Sequence, residues 1–193
     1  MGREFELKYA ADEQTLADIE REYGGFRVIQ METTYYDDVG KNISRLHWTL
    51  RRRVENGVSV CTVKTALPDG ARGEWETETE NVSEALPQLI ALGAPPELAQ
   101  FAKKGLMPVC GARFTRRAAL LMAGDGQVEL ALDNGVLLGG GRELPFCEVE
   151  VEKKLGSDES ACGFADVLAR RFHLKPQPKS KLARAIELTA PHE

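Results

Sequence analysis

The sequence predicts an α+β fold: a closed antiparallel β-barrel of about eight strands with helices packed outside it. Three observations point there. Stretches that alternate with a period of two follow one another along the chain. Turn residues, mostly glycine and asparagine, separate many of them, and helical patterns are inserted between. Nearly every alternating stretch carries charged side chains on one face and apolar ones on the other.

The strand-like stretches lie at 3–9, 29–37, 46–55, 58–66, 72–79, 112–121, 127–133 and 145–153. Glu55-Asn56-Gly57 links two of them as a tight hairpin would. Asp69-Gly70 and Gly124-Asp125-Gly126 are similar punctuation, and Gly139-Gly140-Gly141 reads as a flexible connector before the last strand. A helix is predicted over 12–23, from Asp12 as N-cap to a stop at Gly24-Gly25. Residues 83–92 open at Ser83 with Glu84 in the first turn, and 96–105 follow Pro95-Pro96 and end at Gly105. Residues 158–172 present Cys162, Ala165, Val167, Leu168 and Phe172 as a helical face, and 180–188 form a short last helix. No repeat or linker interrupts this order, so residues 1–193 are expected to form one domain.

Composition narrows the function. With 28% charged and 42% hydrophobic residues, the chain has the balance of an ordinary globular protein rather than a disordered one. No apolar run is long enough to cross a bilayer and no signal-peptide pattern opens the chain. The net charge of −5 argues against a nucleic-acid surface, which needs a basic excess. Cys61, Cys110, Cys147 and Cys162 are widely spaced, without a CxxC pair, which argues against a zinc site or a disulfide framework and favours a reducing cytoplasm.

The charged faces carry the chemistry. Glu4, Glu6 and Lys8 share one face of the first strand, opposite Phe5 and Leu7. Glu148, Glu150 and Glu152 share a face of the last strand. Arg51 and Arg53 lie together, as do Thr62 and Lys64, and Arg72, Glu74 and Glu76 fall opposite Trp75. Arg116 is in phase with Phe114 and Ala118, and Glu129 and Asp133 alternate with Leu130 and Leu132. Same-face neighbours on one strand are roughly 7 Å apart, so rows of carboxylates repel unless cations lie among them.

A half-exposed antiparallel sheet offers a bland account of this alternation, in which the charged face simply meets water. Two features speak against it. The pattern recurs on nearly every strand, and the charges sort by segment, acids on the first and last strands and bases on those between. The other account closes the sheet with its charged face inward around a wet bore. A dry bore lined with unpaired charges would be prohibitively costly, but one filled with a polyanion and hard metal ions would not. Arginine and lysine would grip phosphate oxygens, and glutamates would hold Mg²⁺ or Mn²⁺.

These residues, in this order, resemble the CYTH superfamily, also called triphosphate tunnel metalloenzymes. Its opening Glu-x-Glu-x-Lys reads here as Glu4-Phe5-Glu6-Leu7-Lys8. Tyr35-Tyr36-Asp37 is similar to its second strand, Leu50-Arg51-Arg52-Arg53 with Asn56-Gly57 to its Leu-Arg-x-Arg strand and turn, and Thr62-Val63-Lys64 to its lysine strand. Arg72-Gly73-Glu74-Trp75-Glu76, Glu129 with Asp133, and Glu148-Val149-Glu150-Val151-Glu152 resemble its later charged strands, and Ser180-Lys181 with Arg184 its C-terminal element. Ala185 stands where many relatives have glycine or an aromatic residue. Arg116 fits the sixth strand's arginine, with Arg113 and Arg117 on the other phase.

The resemblance is closest to bacterial inorganic triphosphatases. It implies metal-dependent hydrolysis of tripolyphosphate to pyrophosphate and phosphate, with two Mg²⁺ or Mn²⁺ ions. Lys8, Arg51, Arg53, Lys64, Arg116, Lys181 and Arg184 would hold the substrate. Glu4, Glu6, Glu148 and Glu150 would hold metal, with Glu4, Glu6 and Lys8 nearest the chemistry. Arg72, Glu74, Glu76, Glu129, Asp133 and Glu152 would support them. The expected partner is a small triphosphate, with neither nucleic acid nor membrane, in a monomer or homodimer. Three rivals stay open: a class IV adenylate cyclase, a thiamine or nucleoside triphosphatase, and a non-enzymatic polyphosphate binder. Trp48 and Trp75 lie out of phase with the charged faces, which disfavours stacking of a thiamine ring.

Overall fold

Among the described residues of the computed structural model a single antiparallel sheet dominates, with six helices around it. The structure describes residues 2–3, 5–66 and 72–190, with side chains for 5–65 and 73–190. Glu4 and the Asp69-Gly70 turn, and the side chain of Arg72, lie outside these described residues. The strands are β1 (Gly2–Arg3), β2 (Glu6–Ala10), β3 (Arg27–Asp38), β4 (Thr49–Glu55), β5 (Val58–Ala66), β6 (Arg72–Glu78), β7 (Leu106–Ala123), β8 (Gly126–Gly139), β9 (Arg142–Leu155) and β10 (Lys175–Pro176). The helices are α1 (Glu13–Tyr23), α2 (Asn42–Arg45), α3 (Val82–Ala91), α4 (Leu98–Lys104), α5 (Asp158–Arg171) and α6 (Lys181–Glu187).

Strand order across the sheet is β1-β6-β5-β4-β3-β7-β8-β9-β2-β10. The single N-terminal strand expected over 3–9 is therefore divided. Gly2–Arg3 pairs with β6 near one edge, and Glu6–Ala10 pairs with β9 near the other. Glu6 follows Arg3 by only two intervening residues, so one short stretch of chain serves both ends of the sheet.

Local chemistry explains most element ends. Asn56 (φ 47°) and Gly57 (φ 90°) both adopt left-handed backbone between β4 and β5, the requirement of a type I′ hairpin turn. The Asp12 carboxylate accepts the Thr15 N–H at 2.7 Å to start α1. Ser157 and Ser180 cap α5 and α6 in the same way, accepting the N–H groups of Ser160 and Ala183. The expected strand at 46–48 is instead the exit of α2. Asp37, buried at the end of β3, accepts the N–H groups of Ile43 and Ser44 at 3.0 Å and the Ser44 hydroxyl at 2.6 Å. That cap bends the chain into a helical turn, and β4 begins only at Thr49.

Apolar positions of the strands face the helices. Leu130, Leu132, Val149 and Val151 pack with Leu16 and Ile19 of α1 and Ala165 and Leu168 of α5. Leu50, Val63 and Trp75 pack with Leu86 and Leu89 of α3 and Leu98 and Phe101 of α4. Each such aliphatic side chain contributes about 1.5–3 kcal/mol by leaving water.

The short helix α6 is different, because it lies against the other face of the sheet. Ala185 is fully buried there, with Leu182, Ile186 and Leu188 against Phe114, Leu137 and Phe146. The Gly139-Gly140-Gly141 segment is a tight turn that receives this helix, not a loose connector. A Cβ on Gly139 would meet the Ala185 carbonyl oxygen at 2.3 Å, so only glycine permits the approach.

Candidate active site

Cross-strand register collects the charged positions on one face. Lys8 pairs with Glu150, and Glu6 with Glu152, which pairs in turn with Glu129. Glu148 pairs with Asp133, and Asp133 with Arg116. Arg51 lies between Tyr35 and Thr62, Arg53 between Thr33 and Val60, and Lys64 between Thr49 and Glu74. Because partners in a ladder share a face, these residues all point the same way, away from α1, α3, α4 and α5. All of them except Glu148, Asp133, Thr62 and Val60 line a cavity of about 310 Å³ to which β2 through β9 and α6 all contribute.

Exposure rises steadily along β9. The side chains of Glu148, Glu150, Glu152 and Lys154 are 0%, 11%, 28% and 37% exposed. The cavity thus has a deep end under α6 and a mouth near Lys154 and Arg27. The deep end is saturated with ion pairs. Arg116 donates from Nε and NH2 to Asp133, both at 2.8 Å, and from NH2 to Glu150. Lys181 Nζ reaches Glu148, Glu150 at 2.7 Å and Asp133 at 2.9 Å, and Arg184 donates to Glu148 at 2.5 Å.

Burial and charge set the ionisation here. Burial alone would push the Glu150 carboxyl up, but Lys181 and Arg116 hold it well below the usual range. At Glu148 burial wins and the carboxyl is raised, although Lys181 and Arg184 pull it back. Burial opposes the charge of Arg116 too, yet Asp133 and Glu150 keep its guanidinium more firmly protonated than usual.

The middle of the cavity is cation-rich. Lys8 lies 3.6 Å from Glu6, Lys64 3.3 Å and Arg51 3.7 Å from the same Glu74 oxygen, and Arg53 3.5 Å from Glu76. The buried Nε of Arg51 has no hydrogen-bond partner, while that of Arg53 meets the Glu55 carboxylate in an ion pair. Arg53 is desolvated and sits beside the like charge of Arg51, and both effects lower its pKa. Two such cations side by side are an arrangement that an anion would relieve.

Of the expected metal ligands, Glu148 and Glu150 lie in the deep cluster, whereas Glu6 lies beside Glu152 and Glu129, which were expected only in support. Glu148 and Glu150 have each carboxylate oxygen bonded by a lysine or arginine. Asp133, Glu148 and Glu150 are, among the described residues, the set whose oxygens converge within 4.8 Å, but Lys181 stands in their midst. Glu6, Glu152 and Glu129 form instead a row of three carboxylates on adjacent strands at the cavity lining. Lys8, Lys154 and Arg27 offset them in part. Hard oxygen donors in a like-charged row suit a divalent cation.

Three charged cavity residues escaped the sequence reading: Arg27, Glu55 and Lys154. Each continues the alternation of its strand by one step, Arg27 before Ile29, Glu55 after Arg53, and Lys154 after Glu152. The signal was present: the strand ends were set too short for Arg27 and Lys154, and Glu55 was read as part of the hairpin turn.

Fold and site together define a class: a large antiparallel sheet with helices on its apolar face and an ion-lined cavity on the other. The chain belongs to the CYTH domain family, which matches it over residues 2–186. The inorganic triphosphatase of Haemophilus influenzae is 25% identical over 175 residues, 87% of this chain and 50% of that protein. The chain therefore spans about half the length of this curated relative. HpAC1 of Hippeastrum, whose structure is reported as revealing a dominant triphosphatase activity, superposes with a TM-score of 0.68 at 16% identity, covering 98% of each chain. PH1819 of Pyrococcus horikoshii OT3 gives a TM-score of 0.62 at 20% identity, covering 95% of this chain and 98% of that one. No described helix is long and apolar enough to cross a membrane.

Proposed function

We propose that the protein hydrolyses inorganic triphosphate to pyrophosphate and phosphate with the help of a divalent cation, inside a sheet closed into a barrel. The closure rests on the N-terminal segment: a stretch that pairs with β6 through Gly2–Arg3 and with β9 through Glu6–Ala10 draws the two edges together. One observation carries the substrate reading. Lys8, Arg51, Arg53 and Lys64 reach one cavity in register from three different strands, and the buried Nε of Arg51 has no hydrogen-bond partner. A linear polyanion satisfies such a set, and a single carboxylate does not.

In this reading the four cations hold the phosphate chain, and Arg116 adds the guanidinium edge that its carboxylates leave over. Holding the chain in line and spreading its charge supplies most of the acceleration in phosphoryl transfer. Glu6, Glu152 and Glu129, with Glu4 as a further candidate, would hold Mg²⁺ or Mn²⁺, which lowers the pKa of a bound water and neutralises phosphate oxygens. Glu74 and Glu76 keep the arginines and Lys64 extended before substrate arrives. Lys181 and Arg184 spend their charge on the deep carboxylates and form the floor.

The acidic row favours this reading over a passive polyphosphate binder, to which carboxylates facing phosphate would be a hindrance. The test is phosphate release from tripolyphosphate, ATP and thiamine triphosphate, with Mg²⁺, Mn²⁺ or chelator. Metal-dependent release, fastest from tripolyphosphate, is expected. Cyclic AMP from ATP as the main product, or no turnover of any substrate, would overturn the proposal.

A further inference from the structure

Beneath the cavity floor the side chains of Asp133 and Glu148 are entirely buried, and that of Glu150 nearly so. Three converging carboxylates at such depth are the ordinary makings of a divalent metal site. Yet the charge is already balanced, because Arg116, Lys181 and Arg184 supply one cation for each carboxylate. Lys181 is the central one and alone contacts all three.

We propose that Lys181 is a tethered counter-cation: its ammonium fills the oxygen cage of Asp133, Glu148 and Glu150, excludes a divalent ion from it, and thereby keeps Arg116 aimed into the cavity. Lys181 is a positioning residue in this scheme, acting on Arg116 through the carboxylates they share. The inference goes beyond the hydrolase reading, since the cage would behave this way whatever the cavity binds.

Two further observations point the same way. The walls of the cage are aromatic: Lys181 Nζ lies 5.4 Å from the ring centroids of both Phe114 and Phe146, and the Arg184 guanidinium 5.3 Å from Phe146. Ring faces attract an organic cation but give no ligand to Mg²⁺ or Mn²⁺, which demand further oxygens. The lysine is also held in place from behind. Ser180 caps its helix, and at the far end Arg142 donates to the carbonyls of Leu188 and Ala190. With Ala185 pressed against the Gly139 turn, the helix cannot back the ammonium out without losing contacts along its length.

The experiment counts Mn²⁺ sites on the full chain without substrate, from the electron paramagnetic resonance of free Mn²⁺ during titration. Lys181→Met should bind one more Mn²⁺ than the wild type, Lys181→Arg the same number, and Asp133→Asn in the wild-type background should remove none. An unchanged count in Lys181→Met, or a site lost in Asp133→Asn, would overturn the proposal. Anomalous diffraction from wild-type crystals soaked in MnCl₂ needs no substitution and stays decisive if a variant does not fold. A manganese peak within the trio refutes the tethered cation, and its absence with Lys181 in place supports it. A wild type that binds no Mn²⁺ anywhere would sink the metal-dependent hydrolase instead, and Lys181→Met would still decide the cage.

Discussion

Lys64 and Glu74 face each other as direct partners across β5 and β6, with Nζ 3.3 Å from Oε1. Arg51 approaches the same oxygen at 3.7 Å. One carboxylate thus steadies two cations that, in the proposed reaction, must let go of it to take phosphate. Glu74→Gln should tighten metal-free tripolyphosphate binding severalfold, and Lys64→Ala should weaken it at least about tenfold, the equivalent of about 1.4 kcal/mol. Isothermal titration measures both. An unchanged affinity in Lys64→Ala would remove this lysine from the phosphate site.

The carboxylate row at the mouth makes a separate prediction. Glu152→Gln should raise the Mn²⁺ concentration needed for half-maximal turnover by roughly an order of magnitude or more, because loss of a metal ligand weakens the ion directly. Folding should be untouched, since Glu152 is partly exposed and paired mainly with the partly exposed Lys154. Metal titration of phosphate release, together with a thermal melt, reads the two effects apart. Unaltered metal dependence would move the ion elsewhere.

Acid should loosen the deep ion cluster through Glu150. Its carboxyl titrates well below a free glutamate's value of about 4.3, because Lys181 and Arg116 outweigh the opposing effect of burial. A depressed carboxyl contributes stability that is present above about pH 4.3 and lost as pH falls below it. Glu148, raised by burial, contributes with the opposite sign. Glu150→Gln should therefore lose stability at pH 7, by about 3 kcal/mol if the two cations find no other partner, and should show a flatter acid limb than the wild type. Urea unfolding from pH 3 to 7 tests this, and parallel curves for the two proteins would contradict it.

Arg142 is expected to hold α6 down. Its guanidinium donates to two backbone carbonyls just past the helix, so Arg142→Ala leaves the Leu188 and Ala190 oxygens short of a donor. The cost should be about 1–3 kcal/mol, with faster amide exchange in residues 185–190 than in α1. Equal exchange in both segments would show that the apolar contacts of Ile186 and Leu188 suffice alone.

Much of this molecule was legible in its residues. The two-residue period of Glu148-Val149-Glu150-Val151-Glu152, and its echoes at Arg51 and Lys64, carried the face assignment, because a strand has no other way to dispose alternate side chains. Asn56-Gly57 and the caps Asp12 and Ser180 are equally local. What depended on distant partners was hidden. The turn at 46–48 required Asp37 to reach Ile43 and Ser44. The meeting of Lys181 with Asp133 required α6 to enter the charged face, and nothing in the helix's own pattern announces that. For the same reason Lys181 and Arg184 were expected among phosphate ligands, while in the structure their nitrogens are turned to carboxylates.

The divided N-terminal strand has a consequence for synthesis. Lys8 leaves the ribosome well before its partner Glu150, because β3 to β8 are made between them. Glu6–Ala10 must wait for β9 while those strands are added, and contacts so remote in sequence form slowly. Assembly should therefore finish at β2, with Glu6–Ala10 stitching in last.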